Sequence, residues 1–149
     1  MKNKFGFILI KPQLGENIGA CARSMKNLGF SKLNIVSPKF SFPNHKTKTT
    51  SVGAYDIINK AKVFKNTNDA INEFDIIVSL SARKRDINKR HISIQEFVKI
   101  IKKKNQFKFG LMFGPEASGL TNKDISLSNF ILTIPTSKKF KSLNLSHSV

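Results

Sequence analysis

Two hydrophobic periods alternate along the chain, and that alternation constrains its fold more than any other feature. Apolar runs of strand length recur at 5–10, 33–36, 75–80, 108–113 and 130–134, with helix-period segments between them. Ile18, Cys21, Ala22, Met25 and Leu28 fall on one face of a helix over 16–28, and Gly29 is placed as its C-cap. The clearest helix covers 93–104. Ser93 and Glu96 form a capping box, and Ile94, Phe97, Val98 and Ile101 form an apolar stripe. Lys102, Lys103 and Lys104 lie in its last turn, where cations favour the helix dipole. Elsewhere the sequence reads as a loop over 37–50, a short helix over 52–59, a weak strand over 62–64 and a helix over 68–74 with Thr67 as N-cap. Thr121 and Asp124 mark the start of one more short helix. Strands alternating with helices give an α/β fold, a mainly parallel sheet with helices on both faces. Ligands in such sheets bind beyond the carboxyl ends of the strands, so the loops after Ile10, Leu80, Phe113 and Ile134 are the places to look for chemistry.

With 149 residues, no internal repeat and no low-complexity linker, the chain is expected to form one domain over 1–149. Charge narrows the partners. Lys and Arg number 26 against 9 Asp and Glu, a formal +17, which points to nucleic acid or an anionic membrane. An AT-rich genome would explain part of the lysine count but not the scarcity of acids. Six of the nine acids lie in 51–100, so positive charge concentrates toward the two ends. The single cysteine, Cys21, cannot form an internal disulfide, and a reducing cytoplasm is expected. His45, His91 and His147 lie far apart without Cys or carboxylates at ligand spacing, so no metal is expected. The apolar run within 1–10 is too short for a membrane span.

Each of the inspected loops departs from a plain connector. After the first strand, Gly15-Glu-Asn17-Ile-Gly19-Ala-Cys-Ala-Arg23 combines glycines with a helix N-terminus, where backbone N–H groups are free to meet an anion. It has neither the dinucleotide fingerprint nor the P-loop spacing. Asn17 as a helix cap and Arg23 as a solvated helix residue remain open. Phe113-Gly-Pro-Glu116-Ala-Ser-Gly119-Leu holds the only acid between Glu96 and Asp124. Glu116 is a surface turn residue, an ion-pair partner for an Arg, or a hydrogen-bond acceptor for a ligand. After Ile134-Pro and a basic stretch, Ser142-Leu-Asn144 opens a helix, with Ser142 either its N-cap or a ligand contact. No Ser/His/Asp or Cys/His constellation and no carboxylate pair stands out. A site of backbone amides, Asn, Arg, Glu and Ser suits a reaction whose reactive group is brought by a cofactor.

Taken together, these three segments resemble the signature motifs of the SpoU branch of the SPOUT RNA methyltransferases, in order and over nearly the whole chain. Ser51-Val-Gly-Ala-Tyr-Asp and Ser79-Leu-Ser-Ala-Arg83 are similar to the subgroup that methylates cytidine or uridine 2′-hydroxyls in the tRNA anticodon loop. The resemblance implies a parallel α/β sheet with a C-terminal trefoil knot, S-adenosylmethionine as cofactor, a homodimer, and an RNA substrate. Carried over position by position, it implies a cofactor pocket of Leu80, Ser81, Ala82, Gly114, Glu116, Gly119, Ile134, Ser142, Leu143 and Asn144. It implies a catalytic set of Arg23, Asn17, Glu116, Ser142 and Asn144, in which Asn17 and Glu116 orient Arg23. RNA contacts are expected from Arg23, Lys46, Lys48, Arg83, Arg85, Arg90, Lys138, Lys139 and Lys141. Against the family pattern, Val149 stands seven residues after Ser142, so a final helix short of its usual length and weaker cofactor binding are expected. Competing readings are a family member that binds RNA without catalysis, an rRNA 2′-O-methyltransferase, and a nucleotide-binding oxidoreductase, the last disfavoured by the missing fingerprint.

Overall fold

The apolar runs assemble into one parallel sheet. The computed structural model describes residues 2–81 and 88–134. After a 3-10 turn at Lys2–Lys4 come β1 (Phe5–Ile10), α1 (Gly15–Leu28), β2 (Lys32–Val36), α2 (His45–Thr50), α3 (Tyr55–Lys60), β3 (Lys62–Phe64) and α4 (Thr67–Ile71). Then follow β4 (Ile76–Ser81), β5 (Arg90–Ile92), α5 (Ile94–Lys103), β6 (Phe109–Phe113), α6 (Asn122–Ser126) and β7 (Phe130–Thr133). The strand order is β3-β2-β1-β6-β4-β7-β5, with every neighbour parallel. Every strand start therefore lies on one edge of the sheet and every strand end on the other.

Burial on both faces explains why the strands read as continuous apolar runs rather than alternating ones. All six residues of β1 are buried. Phe7 and Leu9 point to the side covered by α1 and α3, where Ile18, Cys21, Ala22, Met25, Ile57 and Ile58 complete a cluster. Ile8 and Ile10 point to the opposite side, against Ala70 of α4 and Ile125 of α6. A third cluster, of Phe5, Ile76, Val78, Phe109 and Leu132, lies under Phe97, Ile100 and Ile101 of α5. Phe5 stacks on Phe109 and Phe7 on Phe113, with ring centroids 5.4 and 6.0 Å apart. Cys21 is fully buried, and desolvation pushes its thiol up to about 12, so it stays protonated as a small apolar core residue.

Several local expectations hold. Gly29 caps α1 at φ 85°, and both hydrogen bonds of the Ser93–Glu96 capping box are present. Others need correction. The stretch read as a loop contains α2, started by Asn44, whose side chain accepts from Thr47 N at 2.9 Å. This helix has no apolar stripe to betray it. The helix expected over 52–59 is α3, which starts later because Gly53 sits at φ 81°. The N-cap of α4 is Asn66 rather than Thr67, whose hydroxyl donates to Asp124 at 3.0 Å. Leu28 is 49% exposed, outside the core, and Ile94 and Val98 are also exposed, so the α5 stripe buries only part of its width. The three-residue β5 lacks an apolar run and escaped the periodicity. The expected knot and the helix at Ser142 fall on 135–149, outside the described residues. Among the described residues, no helix is long and apolar enough to cross a membrane.

Candidate functional site at the carboxyl edge of the sheet

Strand order does the first part of the work. Because β6, β4 and β7 are neighbours, Phe113, Ser81 and Thr133 end side by side, and Leu80, Ser81, Gly114 and Ile134 share one rim. Ile134 N donates to Ser81 O at 3.2 Å, joining the chain after β7 to the end of β4. Beyond β6 the backbone closes on itself. Gly119, at φ 72°, donates its N–H to Pro115 O at 2.8 Å. A Cβ at Gly114 would overlap the backbone N of Leu120, so only glycine fits where the strand leaves the sheet.

The next part is a clasp between two loops far apart in sequence. The first turn of α1 follows Leu14, a residue that cannot cap it with its side chain. Glu116, in the loop after the neighbouring strand β6, supplies the missing acceptor. Its carboxylate accepts from Gln13 N at 3.1 and 3.2 Å, from Leu14 N at 3.0 Å and from Asn17 Nδ2 at 3.2 Å. Ala117 N donates back to Gln13 Oε1 at 3.0 Å. A carboxylate at a helix N-terminus is favoured by both the free N–H groups and the macrodipole. Glu116 is thus an anionic cap for α1, half-buried and engaged by three donors. Asn17 is not the N-cap of its own helix but a donor in its first turn.

Arg23 lies elsewhere. It is exposed on α1, eight residues after Gly15 and so about 12 Å further along the axis. It is not a hydrogen-bond partner of Asn17 or Glu116, and no described carboxylate pairs with it. Lys46 and Lys48 are closer to the clasp, because α2 packs against α1 where a Cβ at Gly19 would overlap the Thr50 hydroxyl. The Lys46 ammonium stands 3.8 Å from Glu16, beside Asn17, and Lys48 is exposed. Arg90 is separate from this group. It starts the edge strand β5, pairs with Glu96 at 3.2 Å and lies over the Phe130 ring at 5.6 Å. Ala82, Arg83, Arg85, Lys138, Lys139, Lys141, Ser142, Leu143 and Asn144 lie outside the described residues.

Two polar residues at this edge are not among the site residues that the sequence singles out. The hydroxyls of Ser79 and Thr133 are buried on the same sheet face and have no hydrogen-bond partner among the described residues. Gln13 is not among them either. The only sequence signal for Thr133 was its place just before Ile134-Pro, and Gln13 carried none. Among the described residues, no group of three or more His, Cys, Asp or Glu is arranged to hold a metal.

Comparison with known proteins adds four likenesses. Residues 4–149 match the model of the SpoU rRNA methylase family. A tRNA (cytidine-2′-O-)-methyltransferase, TrmJ, of Methanocaldococcus jannaschii is 36% identical over 146 residues, covering 95% of this chain and 62% of the relative. The crystal structure of TrmJ from Z. mobilis superposes with a TM-score of 0.89 at 34% identity, covering 96% of this chain and 64% of that one. The SpoU methyltransferase AviRb of Streptomyces viridochromogenes, solved in complex with AdoMet, gives a TM-score of 0.71 at 18% identity, covering 99% of this chain and 57% of that one. At that identity the likeness is one of fold. The chain spans about three fifths of the length of the curated relatives it matches.

Proposed function

This chain belongs to the SpoU rRNA methylase family, and we propose that it moves a methyl group from S-adenosylmethionine to a ribose 2′-hydroxyl of RNA, with the anticodon loop of tRNA as the substrate. The observation that carries the reading is the Glu116 clasp. It ties the start of α1 to the loop after β6 at the edge where an α/β sheet takes its ligand.

The residues present fit the cofactor. Leu80, Ser81, Gly114 and Ile134 border one rim, the glycine-only turn at Gly114 presents backbone to it, and the Thr133 hydroxyl is unspent. Gly119 closes the turn. Ala82, Ser142, Leu143 and Asn144 complete the pocket in this reading. When bound, S-adenosylmethionine brings a methyl group already activated on a sulfonium. The protein's task is to align a hydroxyl that is a poor nucleophile at neutral pH and to let its proton leave. Arg23 serves as a two-pronged clamp on the adjacent phosphate and supports the developing alkoxide. The phosphate or a water accepts the proton. Glu116 acts through the helix, fixing the first turn of α1 with Asn17 and thereby the direction in which Arg23 projects. The enzyme works as a cytoplasmic homodimer, with the pocket completed across the interface. Lys46 and Lys48 border the RNA path, joined by Arg83, Arg85, Lys138, Lys139 and Lys141.

Labelled S-adenosylmethionine incubated with the protein and either total tRNA or rRNA, followed by mapping of the modified nucleotide, tests this directly. Label on a tRNA anticodon-loop ribose is expected. Label on rRNA alone would move the substrate, and tight RNA binding without label would favour the non-catalytic reading. Arg23→Ala and Arg23→Lys should both lose turnover while cofactor affinity holds, because a point charge cannot supply the fork.

A further inference from the structure

A parallel sheet collects its strand starts on one edge, and here that edge gathers lysines. Lys4 precedes β1 and Lys108 precedes β6. These strands are neighbours with Phe5 in register with Phe109, so the two lysines stand side by side. The last turn of α5 and its C-cap bring Lys102, Lys103 and Lys104 to the same place, and Lys4 Nζ donates to Asn105 O at 2.5 Å, tying the groups together. The Lys104 ammonium stands over the Phe107 ring at 5.2 Å. None of the five is ion-paired with a described carboxylate. The nearby Asp75 is engaged by the backbone of Lys108, which donates to its carboxylate at 2.8 Å.

Helix-dipole compensation accounts for lysines in the last turn of α5. It does not account for Lys4 and Lys108, since like charges side by side on neighbouring strands repel. Two other lysines on this edge are neutralised, Lys26 by Asp56 at 2.7 Å and Lys32 by Glu73 at 2.6 Å. The cluster of five has no such partner among the described carboxylates. We infer that Lys4, Lys102, Lys103, Lys104 and Lys108 form a docking surface for the phosphate backbone of the RNA substrate, on the edge of the sheet opposite the proposed methyl-transfer site. The edges stand about 20 Å apart along the six residues of β1, a span that a folded RNA bridges. The contact is to backbone phosphates, so it contributes affinity and register without reading sequence.

This inference rests on the proposal that RNA is the substrate, and the test separates the two. The triple variant K102E/K103E/K108E spares Lys4 and Lys104, which make the contacts described above. Its affinity for total tRNA is measured across a salt series beside native protein and a control of equal charge change around β3, K60E/K62E/K65E. Loss of three phosphate contacts should lower the log–log salt slope by about 2 and weaken tRNA binding at least tenfold, with cofactor affinity held, a small fall in thermal midpoint from the acids placed at the C-terminus of α5, and the control close to native. Equal weakening in the control would reduce the effect to net charge and overturn the surface. So would an unchanged slope in the triple variant, or native protein that binds phosphatidylglycerol vesicles but not tRNA. If the surface behaves as expected while no RNA accepts label, the surface stands and the methyl-transfer reading falls.

Discussion

The two edges of the sheet handle charge in opposite ways. At the carboxyl edge one carboxylate, Glu116, accepts from Gln13, Leu14 and Asn17 at 3.0–3.2 Å. At the amino edge five ammonium groups cluster, none of them ion-paired with a described carboxylate. The first arrangement fixes backbone position, which a reaction needing an aligned nucleophile requires. The second offers a diffuse field, which suits a polyanion held by its backbone. A single fold therefore carries precision where strands end and attraction where they begin.

Substitutions break this comparison most sharply at the carboxyl edge. Gly114→Ala places a methyl group on the Leu120 backbone N. A loss of about 1–3 kcal/mol in denaturant unfolding is expected, with cofactor binding lost alongside. Glu116→Ala strands three donors, one of them the half-buried Asn17 amide. About 1–3 kcal/mol is expected here too, together with loss of turnover, measured by the same melts and by label transfer. Thr133→Val removes a hydroxyl that has no partner among the described residues. Stability should hold or rise, and S-adenosylmethionine affinity should fall roughly fivefold, the worth of one hydrogen bond near 1 kcal/mol. A stability loss would mean the hydroxyl serves the fold instead.

The smallest effect belongs to the amino edge and is read by pH. Burial works to raise the Glu73 carboxyl, but hydrogen bonds from Lys32 and Asn34 and the Lys32 charge outweigh it and hold it below its ordinary value. A depressed folded pKa gives stability that is present above the unfolded value, near 4.3, and is lost as pH falls through the folded one. The stability gap between native protein and Glu73→Gln should therefore be constant at neutral pH and shrink below about pH 4. Urea melts along a pH series would show it.

Much of this architecture was legible in the sequence because burial on both faces writes itself as apolar runs and capping boxes as fixed spacings. Strands β1, β2, β4, β6 and β7 and helices α1 and α5 were found on those grounds. Helix α2 was missed because it is polar on all sides and held by glycine contacts, and β5 because three residues carry no period. At the site, Asn17 and Glu116 stood out by residue type, yet their contact is 99 residues long and left no local mark. Gln13 and Thr133 were invisible for the same reason: what makes them matter is a partner, or the lack of one, supplied by distant strands.

Amide chemical-shift mapping on titration with S-adenosylmethionine tests the central claim most directly, since it reads both edges at once. The account expects shifts at Leu80, Ser81, Gly114, Glu116 and Thr133, with Lys4 and Lys108 still. Shifts centred on Lys4 and Lys108, or none at the carboxyl edge at saturating cofactor, would contradict it.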